Sequence, residues 1–548
     1  MTGTFIVSHA RDTTRHTLRS LASVDVRVWT LIALATFSIL FWAAGRHASV
    51  FIDGVRYHYL DDDQMISMRY ARNLAEGHGL VWNAGGEHVE GYTNFGWTLV
   101  MAVVHALGAG DASAALCVRG VNWLLAGLVL FLSMRLFVTL GLERGAPAGA
   151  ALLTLALSYD FLFWAVNGFE TTLLTALFLW GLLRALDDAR VGRVRAVTCL
   201  LAGLLPIVRA DALDLTAAVV LTAIALGARK RWWLVGLAAV PLALHLAFRL
   251  NYYGDLLPNT YYLKVAGRHG LFIRALGNIK GFVATYTVVV VLAAAAAALP
   301  GDRRRRVLAV LIGCGFLRLA LVGPDIFGGF RFLAPYLPVL LVAAVAGVER
   351  IANGSRPALI TLSALLCLPT VFTAGINGGE TFRGLVSLNG LPAASTVAGV
   401  LINRHALPDS KVVVVAAGCI SYFGRRDAID MLGKSAWHVA RVVEIRGGPT
   451  GHNRFDIDWT LRARPDIIAS FSPLALTAAE ASVPVAARPA ADRDYGVALA
   501  LNPTFVREYR DHTIPVTIAL QRNAFFVHDR SPESARLGQW REPVVVYP

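Results

Sequence analysis

The sequence predicts a polytopic α-helical membrane protein ending in a small soluble α/β domain, and three observations predict it. Apolar stretches near the length needed to cross a hydrocarbon core as a helix recur from residue 28 to residue 376. Only 16% of the 548 residues are charged while 56% are hydrophobic, a balance far from that of an average soluble domain. Lys and Arg, which give a formal net charge of +14, gather in short runs between the apolar stretches. That distribution serves membrane topology and excludes a nucleic-acid-binding reading.

The first apolar stretch, WTLIALATFSILFWAAG, follows a long polar and basic segment and no small-residue cleavage signature follows it. It reads as a retained signal-anchor helix with the N-terminus in the cytoplasm. The expected spans are 28–45, 114–139, 146–164, 169–186, 195–208, 212–227, 232–250, 282–299, 307–322, 332–348 and 357–376, about eleven transmembrane helices in all. A twelfth candidate, 95–110, is short and carries Trp97 and His105. Counting it as a span would place Arg144, Arg184 to Arg195, ARKR at 228–231, DRRRR at 302–306 and ERIANGSR at 349–356 on the outer side, against the positive-inside rule. It is therefore expected to lie in the interface as a juxtamembrane helix.

An odd number of spans puts everything after residue 377 on the outer, periplasmic side of the inner (cytoplasmic) membrane. The composition changes there. SKVVVVAAG reads as a buried strand, AWHVARVVEIR as an amphipathic helix and RPDIIAS as a lead into another strand. The expected division is a transmembrane domain at 1–376, with a large first outer loop at 46–113, and a soluble α/β domain at 377–548. The cysteines Cys117, Cys199, Cys314, Cys367 and Cys419 are scattered and indicate neither a disulfide framework nor a zinc site. His58, His78 and His88 share the first outer loop but lack metal-ligand spacing, so no metal site is expected.

On this topology the polar residues nearly all fall outside. The first outer loop holds Asp61, Asp62, Asp63, Arg69, Glu90, Tyr92 and Asn94. Later outer turns hold Glu170, Arg209 and Asp211, the stretch NYYGDLLPNTYYLK with Asn259 and Lys264, and GPDIFGGFR with Asp325 and Arg331. Cations and carboxylates at one membrane face suit a substrate that carries a lipid phosphate. Arg grips phosphate in a bidentate mode and Lys as a point charge, while a carboxylate can take a proton from an acceptor hydroxyl. Asp62 and Arg69 are seven apart and share a helical face, and acidic residues favour a helix N-terminus. Blander readings exist for each: the triple Asp and Glu170 as exposed caps, Arg209 with Asp211 as a structural ion pair, Lys264 and Arg331 as snorkelling cations.

Taken in order, DDQMISMRYARNLAEGHGLVWN, VEGYTNFGWTL, NGFETTLLT, RADAL, YYGDLLPNTYYLK and GPDIFGGFRFLAPYLPVL resemble the GT-C glycosyltransferases, polytopic enzymes that take sugar from a polyprenyl-phosphate donor on the periplasmic side. In the tail, GCISYFGRRDAIDMLGKSAWHVAR and RPDIIA add to the likeness, which covers residues 50 to 470 and is nearest to the AftB-type arabinofuranosyltransferases. The resemblance implies a GT-C fold and a catalytic acidic pair at Asp62 and Asp63, with Met65 where the family carries an aromatic or aliphatic residue. It implies an inverting displacement in which Asp62, or Asp63 in its place, deprotonates the acceptor hydroxyl. Arg331, Lys264 and Arg209 would hold the donor phosphate. Arg69, Glu90, Tyr92, Asn94, Glu170, Asp211, Asn259 and Asp325 would meet sugar or acceptor. The implied partners are the lipid bilayer, a polyprenyl-phosphate-linked sugar, with D-arabinofuranose from decaprenylphosphoryl-arabinose as the first choice, and a glycan or protein acceptor of the cell envelope. No cofactor is demanded, although a divalent cation could bridge phosphate and carboxylates. The alternatives are another sugar such as mannose, a transporter or flippase of polyprenyl-linked sugars, and an assembly subunit. Transporters carry charges at mid-span, whereas here the charges sit mostly at span ends.

Overall fold

The computed structural model describes residues 24–143, 145–226, 236–265, 271–298, 307, 310–315, 330–369, 390–442, 451–470, 495–518, 521–529 and 545–546. In chain order its elements begin with α1 (Val26–Gly45), β1 (Ser49–Ile52), β2 (Val55–His58), α2 (Asp62–Ala75), α3 (Phe95–Ala106) and α4 (Asp111–Leu140). Next come α5 (Ala146–Leu157), α6 (Tyr159–Val166), α7 (Thr171–Val191), α8 (Ala196–Val208), α9 (Leu213–Ala225) and α10 (Ala239–Tyr253). Then follow α11 (Asn259–Lys264), α12 (Leu271–Thr285), α13 (Thr287–Ala298), α14 (Leu337–Ala352), α15 (Arg356–Leu366) and α16 (Gly390–His405). The tail adds β3 (Lys411–Val414), α17 (Cys419–Gly424), β4 (Asp427–Asp430), α18 (Trp437–Arg441), α19 (Ile457–Arg462), β5 (Ile467–Ser470), α20 (Tyr495–Leu501), α21 (Pro503–Glu508), β6 (Arg510–Ile518), β7 (Gln521–Asp529) and β8 (Val545–Val546).

The chain divides into two compact units, one of residues 1–43, 121–243 and 270–385, the other of 44–120, 244–269 and 386–548. The first is built of apolar helices. Three helices among the described residues, α1, α4 and the turn-plus-helix Ala334–Ala352, are long and apolar enough to cross a membrane, and five spans result if α5–α6 and α12–α13 each count as one bent span. Of the remaining expected stretches, 169–186 is the 21-residue α7, while others are shorter than a span, such as the 13 residues of α8 and of α9. The expected straight span at 282–299 is instead an L: the helix starts at Leu271 and turns by 93° at Tyr286. Thr287 Oγ1 donates to the carbonyls of Val283 and Ala284 at 2.8 and 2.9 Å, a side-chain competitor to the helical ladder that bends helices. Past the bend, α13 packs along α14 through Ala293, Ala296 and Ala343, so closely that a Cβ on Gly347 would strike the Leu292 backbone. Small residues let apolar helices approach in this way.

The second unit is a mixed α/β body. Its larger sheet has the order β4-β3-β5-β7-β6, with β3 parallel to both β4 and β5 and the β7 and β6 edge antiparallel. The uninterrupted apolar run at Val412–Val414 is what a strand buried on both faces needs. Val413, Met431, Ile457, Ile468 and Phe505 form the core beneath it. A second sheet, β2-β1-β8, pairs the first-loop hairpin with the far tail. The tail strands expected at SKVVVVAAG and RPDIIAS are β3 and β5, and the helix expected in AWHVARVVEIR is described as the single turn and a half of α18. α3 has 12 residues, too few for a span, and packs on α2. Thus the first loop, residues 244–269 and the tail fold as one unit.

Candidate active site

α2 starts at the acidic triplet because Asp61 caps it, its Oδ1 accepting the Asp63 N–H at 3.0 Å, and because Asp62 and Asp63 in the first turn complement the helix dipole. The three carboxylates then diverge. Asp62 faces the start of α17 and accepts two backbone donors, Cys419 N–H to Oδ1 at 2.8 Å and Gly418 N–H to Oδ2 at 3.1 Å. Position 418 has no room for a side chain, since a Cβ there would collide with the Asp62 carbonyl. Asp63 pairs with Lys434, whose Nζ donates to Oδ1 at 2.5 Å. Asp61 is 5% exposed and keeps its cap role.

The electrostatics follow from burial and from each other. Burial, the Asp63 charge and, less strongly, Asp62 push the Asp61 carboxyl up to about 7, against a cap hydrogen bond and Lys434 that pull it down. Burial also pushes the Asp62 carboxyl up, with Lys434 and the two backbone donors opposing. Burial works against the Lys434 ammonium, but Asp63, Asp62 and Asp430 outweigh it and hold its pKa above the ordinary lysine range. The loop carrying Lys434 is itself fixed: Asp430 accepts the N–H groups of Leu432 and Gly433 at 3.0 Å each and of Ser435 at 2.7 Å.

The other first-loop residues spend their polar atoms on protein partners. Arg69 donates to the carbonyls of Trp82 (2.5 Å), Ser421 and Arg426 (2.9 Å) and to Asn83 Oδ1 (2.5 Å), stapling α2 to α17. Arg72 donates to the Tyr422 carbonyl at 2.6 Å and lies over its ring. Glu90 takes Arg249 side on, with Nη2 donating to Oε1 at 2.9 Å and Nε 2.8 Å from Oε2; burial pushes its carboxyl up to about 7 while Arg249 pulls it back. The Tyr92 and Tyr253 hydroxyls meet at 2.9 Å. Asn94 accepts from Ser67 Oγ at 2.8 Å and donates to Gln64 Oε1 at 3.1 Å, knitting α3 to α2. Asn259 donates to the carbonyls of Gly433, Lys434 and Ala436 at 2.9, 3.1 and 3.2 Å and accepts from Arg441 at 2.8 Å. Lys264 is half-buried, its methylene stem against Gly451.

In the first unit a second polar cluster forms. Arg209 donates to Glu170 Oε1 and, through Nε at 2.6 Å, to Asp211 Oδ1. Its guanidinium lies 4.9 Å from the Phe332 ring centroid, and Arg331 approaches the same ring at 5.5 Å while also facing Trp164 and Phe169. Leu333 and Tyr336, just beyond Phe332, help line an apolar cavity of about 280 Å³ together with Phe282, Val290, Ile312 and Leu340. Asp325 lies outside the described residues. Among the described residues no group of three His, Cys, Asp or Glu is placed to hold a metal ion.

Sequence reasoning did not single out Lys434, Gly418, Asp430 or Arg441. All four lie inside the tail motif, but nothing local marks a lysine 371 positions from its carboxylate as that carboxylate's partner.

Residues 390–516 match a family described as Domain of unknown function (DUF8728). Among curated proteins none matches the sequence. Among solved structures, ArnT from Cupriavidus metallidurans bound to undecaprenyl phosphate is similar with a TM-score of 0.58 at 12% identity, over 92% of this chain and 99% of that one. The archaeal oligosaccharyltransferase AglB from Archaeoglobus fulgidus, in complex with an inhibitory peptide and a dolichol-phosphate, is similar at TM-score 0.52 and 10% identity, over 95% of this chain and 76% of that one. The arabinofuranosyltransferase AftD from Mycobacteria gives 0.50 at 14% identity, with 93% of this chain spanning 40% of AftD. The chain has the GT-C fold that these proteins share.

Proposed function

From that fold we propose that the protein is a membrane glycosyltransferase that moves a sugar from a polyprenyl-phosphate carrier to an acceptor hydroxyl with inversion. The observation that carries the reading is the acidic triplet, in which three adjacent carboxylates are given three different environments, the arrangement by which one site holds groups of different proton affinity. Asp62 is the base: two backbone donors aim it and burial raises its affinity for a proton. Asp63, paired with the Lys434 ammonium, faces the positive charge that develops at the anomeric carbon. The acceptor oxygen bonds to that carbon as the bond to the phosphate oxygen breaks; the hydroxyl proton goes to Asp62 and the electron pair leaves with the polyprenyl phosphate.

In the first unit Arg209 and Arg331 receive the phosphate, and the apolar cavity takes prenyl carbons. Glu170 and Asp211 orient Arg209, and Asp325 meets the sugar. Arg69, Glu90, Tyr92, Asn94 and Asn259 build the frame of the acidic site more than they meet the sugar. The favoured donor is decaprenylphosphoryl-arabinose and the favoured acceptor a cell-envelope glycan, with the acidic site and the tail on the periplasmic face of the cytoplasmic membrane. The deciding experiment incubates the full chain in nanodiscs with labelled decaprenylphosphoryl-arabinose, or the mannose analogue, and envelope glycans. Transfer that is lost in Asp62→Asn supports the reading; no transfer from any such donor defeats it.

A further inference from the structure

Three residues beyond Lys434 the tail presents an aromatic surface that the reaction as described does not use. Trp437, the first residue of α18, is 47% exposed, and Tyr261 on α11 is 37% exposed. Between Trp437 and Tyr262 lies the Arg441 guanidinium, 4.2 Å from one ring centroid and 4.1 Å from the other. Arg441 in turn donates to Asp255 Oδ2 at 2.8 Å and to Asn259 Oδ1 at 2.8 Å. Asn259 is the residue that grips the Lys434 loop, so the rings and the acidic site hang on one hydrogen-bonded frame.

We infer that this surface is an acceptor subsite for a neutral oligosaccharide, with Trp437 as its stacking platform. The inference deepens the transferase reading and takes its ligand class from it. Sugars offer an apolar C–H face rimmed with hydroxyls, which suits a flat exposed ring flanked by fixed polar groups. The rings lose little freedom on binding because Arg441 already holds them. The Arg441 guanidinium is already paired with Asp255 at 2.8 Å, so the surface favours an uncharged ligand over a phosphorylated one. Distance fits as well. Three residues span at most about 11 Å, so a glycan stacked on Trp437 reaches the carboxylate that Lys434 touches within a few sugar units.

The test uses the full chain in nanodiscs and a fluorescein-labelled arabinan hexasaccharide, read by anisotropy, with galactan and mannan hexasaccharides alongside. Trp437→Ala is expected to weaken binding about 10-fold, the loss of one ring contact, and to raise the acceptor KM by the same factor with donor KM unchanged. Trp437→Phe, which keeps a ring, is expected to stay within about 3-fold of wild type. Unaltered hexasaccharide affinity in Trp437→Ala overturns the inference, as does a wild type that binds none of the three probes. Loss of partitioning onto phosphatidylglycerol vesicles with saccharide affinity intact also overturns it, and assigns the rings to the bilayer surface. Binding needs no turnover: saccharide affinity that depends on Trp437 with no transfer from any donor would defeat the transferase reading and leave the subsite standing.

Discussion

Lys434 Nζ lies 2.5 Å from Asp63 Oδ1, and both side chains are largely withdrawn from water, at 8% and 19% exposure. The carboxyls of Asp62 and Asp430 also face Lys434, and that of Asp61 faces Asp63. Without its cation Asp63 would sit among like charges, and its ionised form would become the costly one. Lys434→Met is therefore expected to lower transfer at pH 7 about 10-fold or more and to move the acidic limb of the pH–rate profile to higher pH, with Lys434→Arg recovering most of the rate. A rate loss with an unmoved acidic limb would mean that Lys434 only props up the loop.

Asp62→Asn keeps the shape of the side chain but removes the base, and its single amide oxygen can accept from only one of the Gly418 and Cys419 N–H groups. Transfer is expected to fall about 10³-fold, within the range for losing general-base help, while donor affinity stays near that of wild type. Gly418→Ala, which forces a methyl group into the Asp62 backbone, is expected to inactivate and destabilise together. Activity assays paired with melting curves separate the two effects.

Asp61 gives a pH signature of the fold itself. Its carboxyl is raised from 3.8 to about 7, so the folded chain holds that proton over a range in which the unfolded chain has released it. Stability from this group is full below about pH 4 and falls as pH rises toward 7, beyond which the buried charge costs a constant amount. Asp61→Asn retains the cap and removes that cost, so its melting point is expected to exceed wild type at pH 8, by an amount that vanishes near pH 4. Equal differences at both pH values would refute the assignment.

Arg331 and Arg209 both lie against the Phe332 ring, 5.5 and 4.9 Å from its centroid. Arg331→Ala is expected to raise donor KM roughly 10- to 100-fold, the loss of a charge-assisted contact, with a smaller effect on acceptor KM. Arg331→Lys, which keeps charge but not the fork, should fall between. An unchanged donor KM would remove Arg331 from the phosphate site.

What could be read from sequence and what could not divides along contact range. The start of α2 at the acidic triplet, the strands at Val412 and Ile467 and most apolar helices follow from local pattern, because caps, dipoles and hydrophobic runs act within a few residues. The turn at Tyr286 was hidden because threonines rarely break helices alone. The partners of the triplet were hidden for a deeper reason. Gly418, Cys419 and Lys434 are ordinary residues locally, and their meaning lies in pairings more than 350 positions long. The motif showed that carboxylates gather; only the folded unit shows that each has a different neighbour.

Those long pairings also set a clock. A ribosome adding roughly 5–20 residues per second needs on the order of half a minute after Asp63 to make Lys434. Until then the triplet has neither its cation nor the two amides that aim Asp62. On the proposed chemistry, residues 418–434, made late, complete the surroundings of Asp62 and Asp63, made early, so a chain stopped before Gly418 is expected to be inactive.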